Sequence, residues 1–392
     1  MAQGQHFLQI PGPSPVPERI QRAIDRQVID HRGPDFQKLG HEVLEAIRPV
    51  FGTTGPVIIY PASGTGAWEA AIVNTLSAGD RVLMAETGQF ATLWQKLAAR
   101  WGVQVDFIPG DWRHGVDAAA IAAKLAEDKA HAIKAVMVVH NETSTGCLSD
   151  IAAVRKAMGS HPALLMVDTI SSLGSTPVRH EEWGADVTVS GSQKGLMLPP
   201  GLSFTAVSEK AIAASKTNNL PRSYWDWAEM LQFNAKGFFP YTPASTLLYG
   251  LKEALVMLNE EGLEHVFARH QRLAAACRAA VKGWGLEILC QDPKVYSPIL
   301  TGVVLPTGQD ADNFRKIALE NFNISYGAGL GKVAGKVFRI GHLGDCNELT
   351  LMAALCATEM TFTLMQVPHK SGGVEAAMAS LTDGNEKQRL TA

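Results

Sequence analysis

Asp186-Val-Thr-Val-Ser190-Gly-Ser-Gln-Lys194-Gly-Leu-Met-Leu-Pro199-Pro-Gly201 is the stretch on which the reading of this chain turns. Val187 and Val189 are β-branched and alternate with Thr188, the pattern of a short strand that breaks at Ser190-Gly191. Lys194 follows in a turn dense with small residues, and Pro199-Pro200-Gly201 stops any long helix beyond it. A lone loop lysine is ordinarily solvated. A lysine held at a sheet edge by a tight turn can instead have its pKa lowered by burial and neighbouring cations, which makes it a nucleophile. The company it keeps decides between these readings.

Two other stretches have the same form. Ala135-Val-Met-Val-Val-His140 is an apolar run ending in Asn141-Glu-Thr-Ser-Thr-Gly146, and Ala163-Leu-Leu-Met-Val-Asp168 is another, ending in Thr169-Ile-Ser-Ser172. Near-continuous apolar runs are what a parallel sheet covered on both faces requires. Ligands of open α/β sheets bind outside the carboxyl ends of such strands, so Thr143, Asp168 and Lys194 are expected at one edge of one sheet. A lysine, an aspartate and hydroxyls converging there resemble a pyridoxal-phosphate site, where lysine makes the Schiff base and aspartate pairs with the pyridine nitrogen.

The Ser190–Gly201 motif resembles the cofactor-lysine motif of the class V aminotransferases, in particular their serine–glyoxylate and alanine–glyoxylate branch. The likeness runs from Pro11-Gly-Pro to Arg339-Ile-Gly-His-Leu-Gly344 and gains its specificity from several motifs falling in order. It implies an α/β chain of the pyridoxal-phosphate transferase fold (aspartate aminotransferase-like, fold type I). A large domain with a mostly parallel sheet, 18–262, would be preceded by an N-terminal arm, 1–17, and followed by a smaller α+β domain, 263–392.

The same resemblance implies roles for individual residues. Val57-Ile-Ile-Tyr60 reads as a strand, and Pro61-Ala-Ser-Gly-Thr-Gly66 as a turn into a helix, where free backbone N–H groups attract an anion. Taken alone, that turn is equally an ordinary N-cap. By resemblance Ser63, Gly64 and Thr65 hold the cofactor phosphate, helped by Gln193 and by Thr242 of a partner subunit. Phe239 stands where the family commonly has a tyrosine, so that hydrogen bond is expected either to be missing or to be taken by Tyr241. Phe90 would stack on the pyridine ring, Ile170 would cover its other face, and Thr143 would lie near the ring hydroxyl. Asp168 would hold the ring nitrogen, with a cationic partner expected for its carboxylate. Arg339 would clamp the substrate carboxylate with its planar fork.

The implied reaction moves an amino group from a small L-amino acid, serine favoured over aspartate or alanine, to glyoxylate by a ping-pong route. Small amino-acid and oxo-acid substrates and a homodimer with a shared site go with it. A cysteine desulfurase would need a reactive thiol near the site, and only Cys346 lies near Arg339 in sequence. A non-catalytic subunit of the same fold would not need lysine, aspartate and arginine together. A plain nucleotide-binding α/β protein lacks its phosphate fingerprint here.

Composition bounds these readings. The chain has 392 residues, 46% of them hydrophobic, enough for a large core and more than one domain. A net charge of −3 makes no electrostatic case for nucleic acid or an anionic membrane. No run is expected to span a membrane, and Met-Ala-Gln-Gly-Gln-His lacks the character of a signal peptide. Five scattered cysteines without a C-x-x-C pair point to reduced thiols and a cytoplasmic protein.

His140-Asn-Glu142 and His41-Glu42 begin metal motifs that nothing completes. Gly327-Ala-Gly-Leu-Gly-Lys332 reads as a flexible loop over the site, not a nucleotide loop. Ile10–Pro17 is expected as an extended arm, either crossing a subunit boundary or packing on its own domain, and the resemblance places it near the active site. His31 and Arg32 are read either as a surface turn or as substrate-side groups, and His342 is left unassigned. Helices are expected at 36–51, across 243–282 with a break at Gly262, at 310–321 and at 348–365, and strands at 286–289, 299–305 and 336–340. The tail from Glu375 loses its apolar period and is expected to fray.

Overall fold

Seven strands form the larger sheet of the computed structural model, which describes residues 4–383. In spatial order they are Val57–Tyr60, Ser203–Val207, Val187–Gly191, Leu164–Asp168, Ile133–Val139, Arg81–Ala85 and Gln104–Ile108. The last five are parallel. Ser203–Val207 runs against both its neighbours, so Val57–Tyr60 again points in the common direction. Leu164–Asp168 and Val187–Gly191 are buried at every residue, as their continuous apolar character demands. Six carboxyl ends therefore share one edge.

The smaller sheet has the order Phe7–Gln9, Ile324–Ala328, Val337–Gly341, Leu300–Val304, Glu287–Ile288. One hydrophobic core runs from Ile20 to Val266 and a second from Leu273 to Leu381. Gly262, at φ +80°, separates the helices Ser245–Glu261 and Leu263–Gly283, and the second of these feeds both cores.

Several expectations need correction. The N-terminal segment is not merely an arm: Phe7–Gln9 pairs in parallel with Ile324–Tyr326 and adds an edge strand to the smaller sheet of its own chain. The helix expected at 36–51 is two helices, Pro34–Ala46 and Arg48–Phe51. Pro49 has no N–H to continue the first one, yet Leu39, Val43, Leu44, Ile47, Val50 and Phe51 are all buried as the pattern required. Part of the loop expected around Gly327 is the strand Ile324–Ala328. By length and composition Glu348–Met365 is apolar enough to cross a membrane. It instead buries Leu351, Ala354, Leu355 and Phe362 in the second core.

The tail does not fray at Glu375. Gly373–Asp383 is a helix packed along Leu263–Gly283, with Ala377 and Leu381 buried; residues 384–392 lie outside the described residues. Its buried face is carried by small residues, which a search for large apolar side chains passes over. Gly373 lies so close to the Trp284 indole that a Cβ would overlap it. Leu381→Ala is expected to cost about 2–4 kcal/mol of unfolding free energy, and Met378→Ala, on the exposed side of the same helix, about 0.5 kcal/mol or less. Denaturant unfolding measures both, and equal, negligible effects would mean that the helix contributes nothing.

Candidate active site

The turns that follow the carboxyl ends of the larger sheet enclose one cavity. Ser63, Gly64 and Thr65 reach it from the turn after Tyr60, and Phe90 from the turn after Ala85. Asn141 and Thr143 follow Val139, Ile170 and Ser171 follow Asp168, and Gln193 and Lys194 follow Gly191. All nine of the expected residues from these turns meet there.

Ser63 caps the helix Gly64–Thr75 with its backbone in extended geometry, and its side chain makes no capping bond. The first amides of that helix have no intrahelical acceptor, which makes its start an anion site. A Cβ on Gly64 would overlap Ile170, so the helix start packs against Ile170 only with glycine there.

Asp168 is buried and accepts from the Ile170 amide at 2.7 Å and from the Trp68 indole at 3.1 Å. Burial pushes its carboxyl up to about 7 against these hydrogen bonds. Lys194 is only 8% exposed. Its ammonium donates to the Pro11 carbonyl at 2.6 Å, Ser14 Oγ donates to the Lys194 carbonyl at 2.8 Å, and the Ser14 amide donates to Gln193 O at 2.9 Å. The N-terminal segment thus wraps the lysine. Burial first, then the Arg339 charge, lowers the amine to about 8, and Asp168 opposes them.

Arg339 stands on Val337–Gly341 of the smaller sheet, 7% exposed. Its Nε donates to Ala328 O and its Nη1 to Thr143 O, both at 2.7 Å, so two of its five N–H groups are used and the rest face outward from this frame. Burial lowers it to about 10, which leaves it charged in neutral solution.

The remaining expectations fall elsewhere. Tyr241 and Thr242 do not line the cavity of their own chain: Tyr241 stacks on Tyr224 at 4.3 Å and Thr242 is exposed. Phe239 is buried edge-on against Phe36. His31 and Arg32 belong to a turn closed by Asp30. His342 is wholly buried in the smaller sheet, bonded to Pro298 O at 3.0 Å and Thr301 at 3.1 Å. Lys332, in the glycine-rich loop, is not loose but pairs with Glu86 and lies 5.4 Å from the Trp112 ring. Cys346 is buried beside Gln9 and Thr350, away from the cavity.

Three features escaped the sequence. Trp68 holds Asp168 from a helix whose tryptophan reads as ordinary core. Ser171 Oγ donates to Asn141 O and accepts from Asn141 Nδ2, both at 2.9 Å, which fixes the Asn141 amide and leaves its Oδ1 unpartnered. The third is the contact of Pro11 and Ser14 with the lysine turn, for which a proline-rich segment offers no residue-level signal.

The pattern that defines the description "Aminotransferase class-V" matches residues 8–335. This chain belongs to the class V aminotransferases. It is 47% identical over 389 residues to a serine–glyoxylate aminotransferase of Methylorubrum extorquens, covering 97% of each protein. It is 45% identical over 377 residues to an L-aspartate–glyoxylate aminotransferase of Paracoccus denitrificans, covering 95% of each. Its fold matches the crystal structure of a ureidoglycine–glyoxylate aminotransferase of Bacillus subtilis with a TM-score of 0.89 at 27% identity, over 97% of this chain and 99% of that one.

Membership makes the protein a transaminase of fold type I and implies pyridoxal phosphate as cofactor. The cavity fits that group. Gln193 Oε1 and Asn141 Oδ1 are buried polar atoms without partners, the helix start at Ser63 offers free amides, and Asp168 holds only neutral donors directly.

An amine lowered to about 8 has a measurable consequence. Below that pH Lys194 is protonated and inert; above it the neutral amine accumulates. Its rate of modification by an amine-directed reagent, followed by peptide mass spectrometry on cofactor-free protein, is expected to rise with a midpoint near 8. Arg339→Gln removes a repelling cation and should move the midpoint upward. An ordinary solvated-lysine profile in the unmodified protein would contradict the geometry.

Proposed function

We propose that this transaminase moves the amino group of a small L-amino acid, serine first, to glyoxylate in two half-reactions on Lys194-bound pyridoxal phosphate. The observation that carries the reading is the meeting of Lys194 and Asp168 at one edge of the larger sheet, with Arg339 of the smaller sheet near enough for its charge to lower the lysine, in a chain 47% identical to a serine–glyoxylate aminotransferase. The cofactor, when bound, supplies an electron sink conjugated to the substrate's α-carbon.

The chain's own residues do the rest. The amides at Ser63–Thr65, with Gln193, would hold the phosphate. Phe90 and Ile170 would fix the ring plane, and Thr143 would serve the ring hydroxyl. Asp168 would keep a proton on the ring nitrogen, and that cation would in turn relieve a carboxylate whose burial outweighs its hydrogen bonds and pushes it up to about 7. Arg339 takes the carboxylate of the amino acid or the oxo-acid, which orients the α-hydrogen toward Lys194. The neutral Lys194 amine removes that proton as general base and delivers it as general acid. An amine near 8 suits both tasks, because each form is accessible near neutral pH.

Tyr241 and Thr242 are part of the reading as phosphate contacts given to a partner subunit of a homodimer; their position outside their own chain's cavity supports it. A cytoplasmic location is also proposed, and five unpaired cysteines are consistent with a reducing compartment. Aspartate as donor is the second reading, favoured by the 45% identical relative named for it.

Purified protein loaded with pyridoxal phosphate is expected to show a visible band that bleaches with serine and returns with glyoxylate. Bleaching by aspartate or alanine instead would keep the residue roles and change the donor. Lys194→Ala is expected to abolish turnover with the far-ultraviolet dichroism unchanged, and turnover persisting in that variant would remove Lys194 from the mechanism.

A further inference from the structure

After the strand Ile133–Val139 the chain makes a small hairpin, with Asn141–Glu142 paired to Cys147–Leu148. Glu142 has no exposed surface, although a buried carboxylate is among the costliest groups a fold can carry. Its donors explain why it is tolerated. Oε1 accepts from Ser144 Oγ at 2.6 Å, from the Ser144 amide at 3.1 Å and from the Phe90 amide at 3.3 Å, and Oε2 accepts from the Ala91 amide at 3.1 Å. Ser144 Oγ also accepts from the Gln89 amide at 2.9 Å, so its proton is committed to Glu142. Burial pushes this carboxyl up, and the Ser144 hydroxyl and three backbone amides on its two oxygens oppose that.

These partners have a common meaning. Gln89, Phe90 and Ala91 open the helix Gln89–Arg100, whose N-cap position is Gly88, a residue with no side chain to offer. The cap comes instead from a residue 52 positions downstream of Phe90. A Cβ on Gly88 would overlap Ser144 Oγ and the Glu142 side chain, so hairpin and helix start touch without slack. Thr143, between the two gripping residues, turns its carbonyl the other way and accepts Arg339 Nη1 at 2.7 Å. Three consecutive residues therefore grip the helix that carries Phe90 on one side and the arginine on the other.

We propose that Glu142 is a positioning residue that sets the ring-facing Phe90 and the carboxylate-binding Arg339 at a fixed separation, by anchoring the helix start to the same hairpin that holds the guanidinium. This rests on the function proposed above, because the separation matters only if one molecule spans ring and carboxylate sites. A stability role alone needs no such arrangement; a serine or asparagine at position 88 would cap the helix locally.

The test is Glu142→Gln, which keeps the shape but turns an NH2 group toward N–H donors. In the folded, cofactor-loaded variant, KM for the amino donor and for the oxo-acid should both rise about tenfold, since both place a carboxylate on Arg339. The dissociation constant for pyridoxal phosphate should rise as well, and the visible circular dichroism of the bound chromophore should change as Phe90 shifts. Ser144→Ala, which removes one link and keeps the carboxylate, should show the same changes at smaller size, and it carries the test if the glutamine variant does not fold. Variants with a lower melting temperature but unchanged KM, cofactor affinity and dichroism would overturn the proposal. A wild-type protein that never develops the visible band would fail the functional reading itself, before any variant is compared, and the inference would fall with it.

Discussion

The Lys194 amine has to be buried deeply enough to shed its proton near neutral pH and still face an open cavity. Moving it from 10.5 to about 8 corresponds to roughly 3 kcal/mol of preference for the neutral form. Burial supplies most of that and Arg339 adds to it, while Asp168 keeps the charged form within reach. Much of the local structure follows from holding one long side chain in such a place. The strand expected to break at Ser190-Gly191 runs through both, and the turn Ser192-Gln-Lys-Gly195 then doubles the chain back at the strand end. The Pro11 carbonyl gives the ammonium a partner, since a buried cation without one would be prohibitive. Gly12, at φ +104°, passes so close to the Lys194 side chain that any Cβ would overlap it.

The larger sheet determines which residues can share that place. Side chains from turns as far apart in sequence as Ser63 and Lys194 meet because six strands point the same way and end at one edge. The single reversed strand, Ser203–Val207, lies between Val57–Tyr60 and Val187–Gly191 and joins the strand before the phosphate cradle to the one before the lysine turn. The register is equally demanding, because a slip of one residue in Leu164–Asp168 would turn Asp168 to the other face of the sheet.

What could be read in the sequence divides along physical lines. Thr143, Asp168 and Lys194 were legible because each follows a continuous apolar run, and a fully buried parallel strand leaves its polar residues at its end. Ser63 to Thr65 carried a weaker signal, and Phe90, Ile170 and Arg339 had none beyond family resemblance. Trp68, Asn141, Ser171 and the Pro11–Ser14 contacts were not legible, since each depends on a partner far away in sequence that no periodicity announces. The helix Gly373–Asp383 is hard to read because Gly373 and Ala377 make much of its contact and Leu381 is the one large apolar residue it buries. Glu142 was noticed only as part of a metal motif that failed; the better question for a carboxylate at the end of an apolar run is where its donors are.

Polar ties link the smaller sheet to the site. Arg339 reaches Thr143 across the seam, and Lys332 reaches Glu86 beside Trp112, whose indole also donates to Glu86 at 2.9 Å. An ion pair of this kind is weak when solvated, but the Glu86 side chain is only 14% exposed and the lysine lies over an aromatic face. Ties like these can loosen and re-form without exposing either hydrophobic core, which apolar docking could not do. Under the proposed function a substrate carboxylate on Arg339 would land on this seam, on a guanidinium whose position is already set by Ala328 O of the smaller sheet and Thr143 O of the hairpin after Ile133–Val139. On that reading binding would add to a junction that Arg339 and Thr143 already make, and would need no new one.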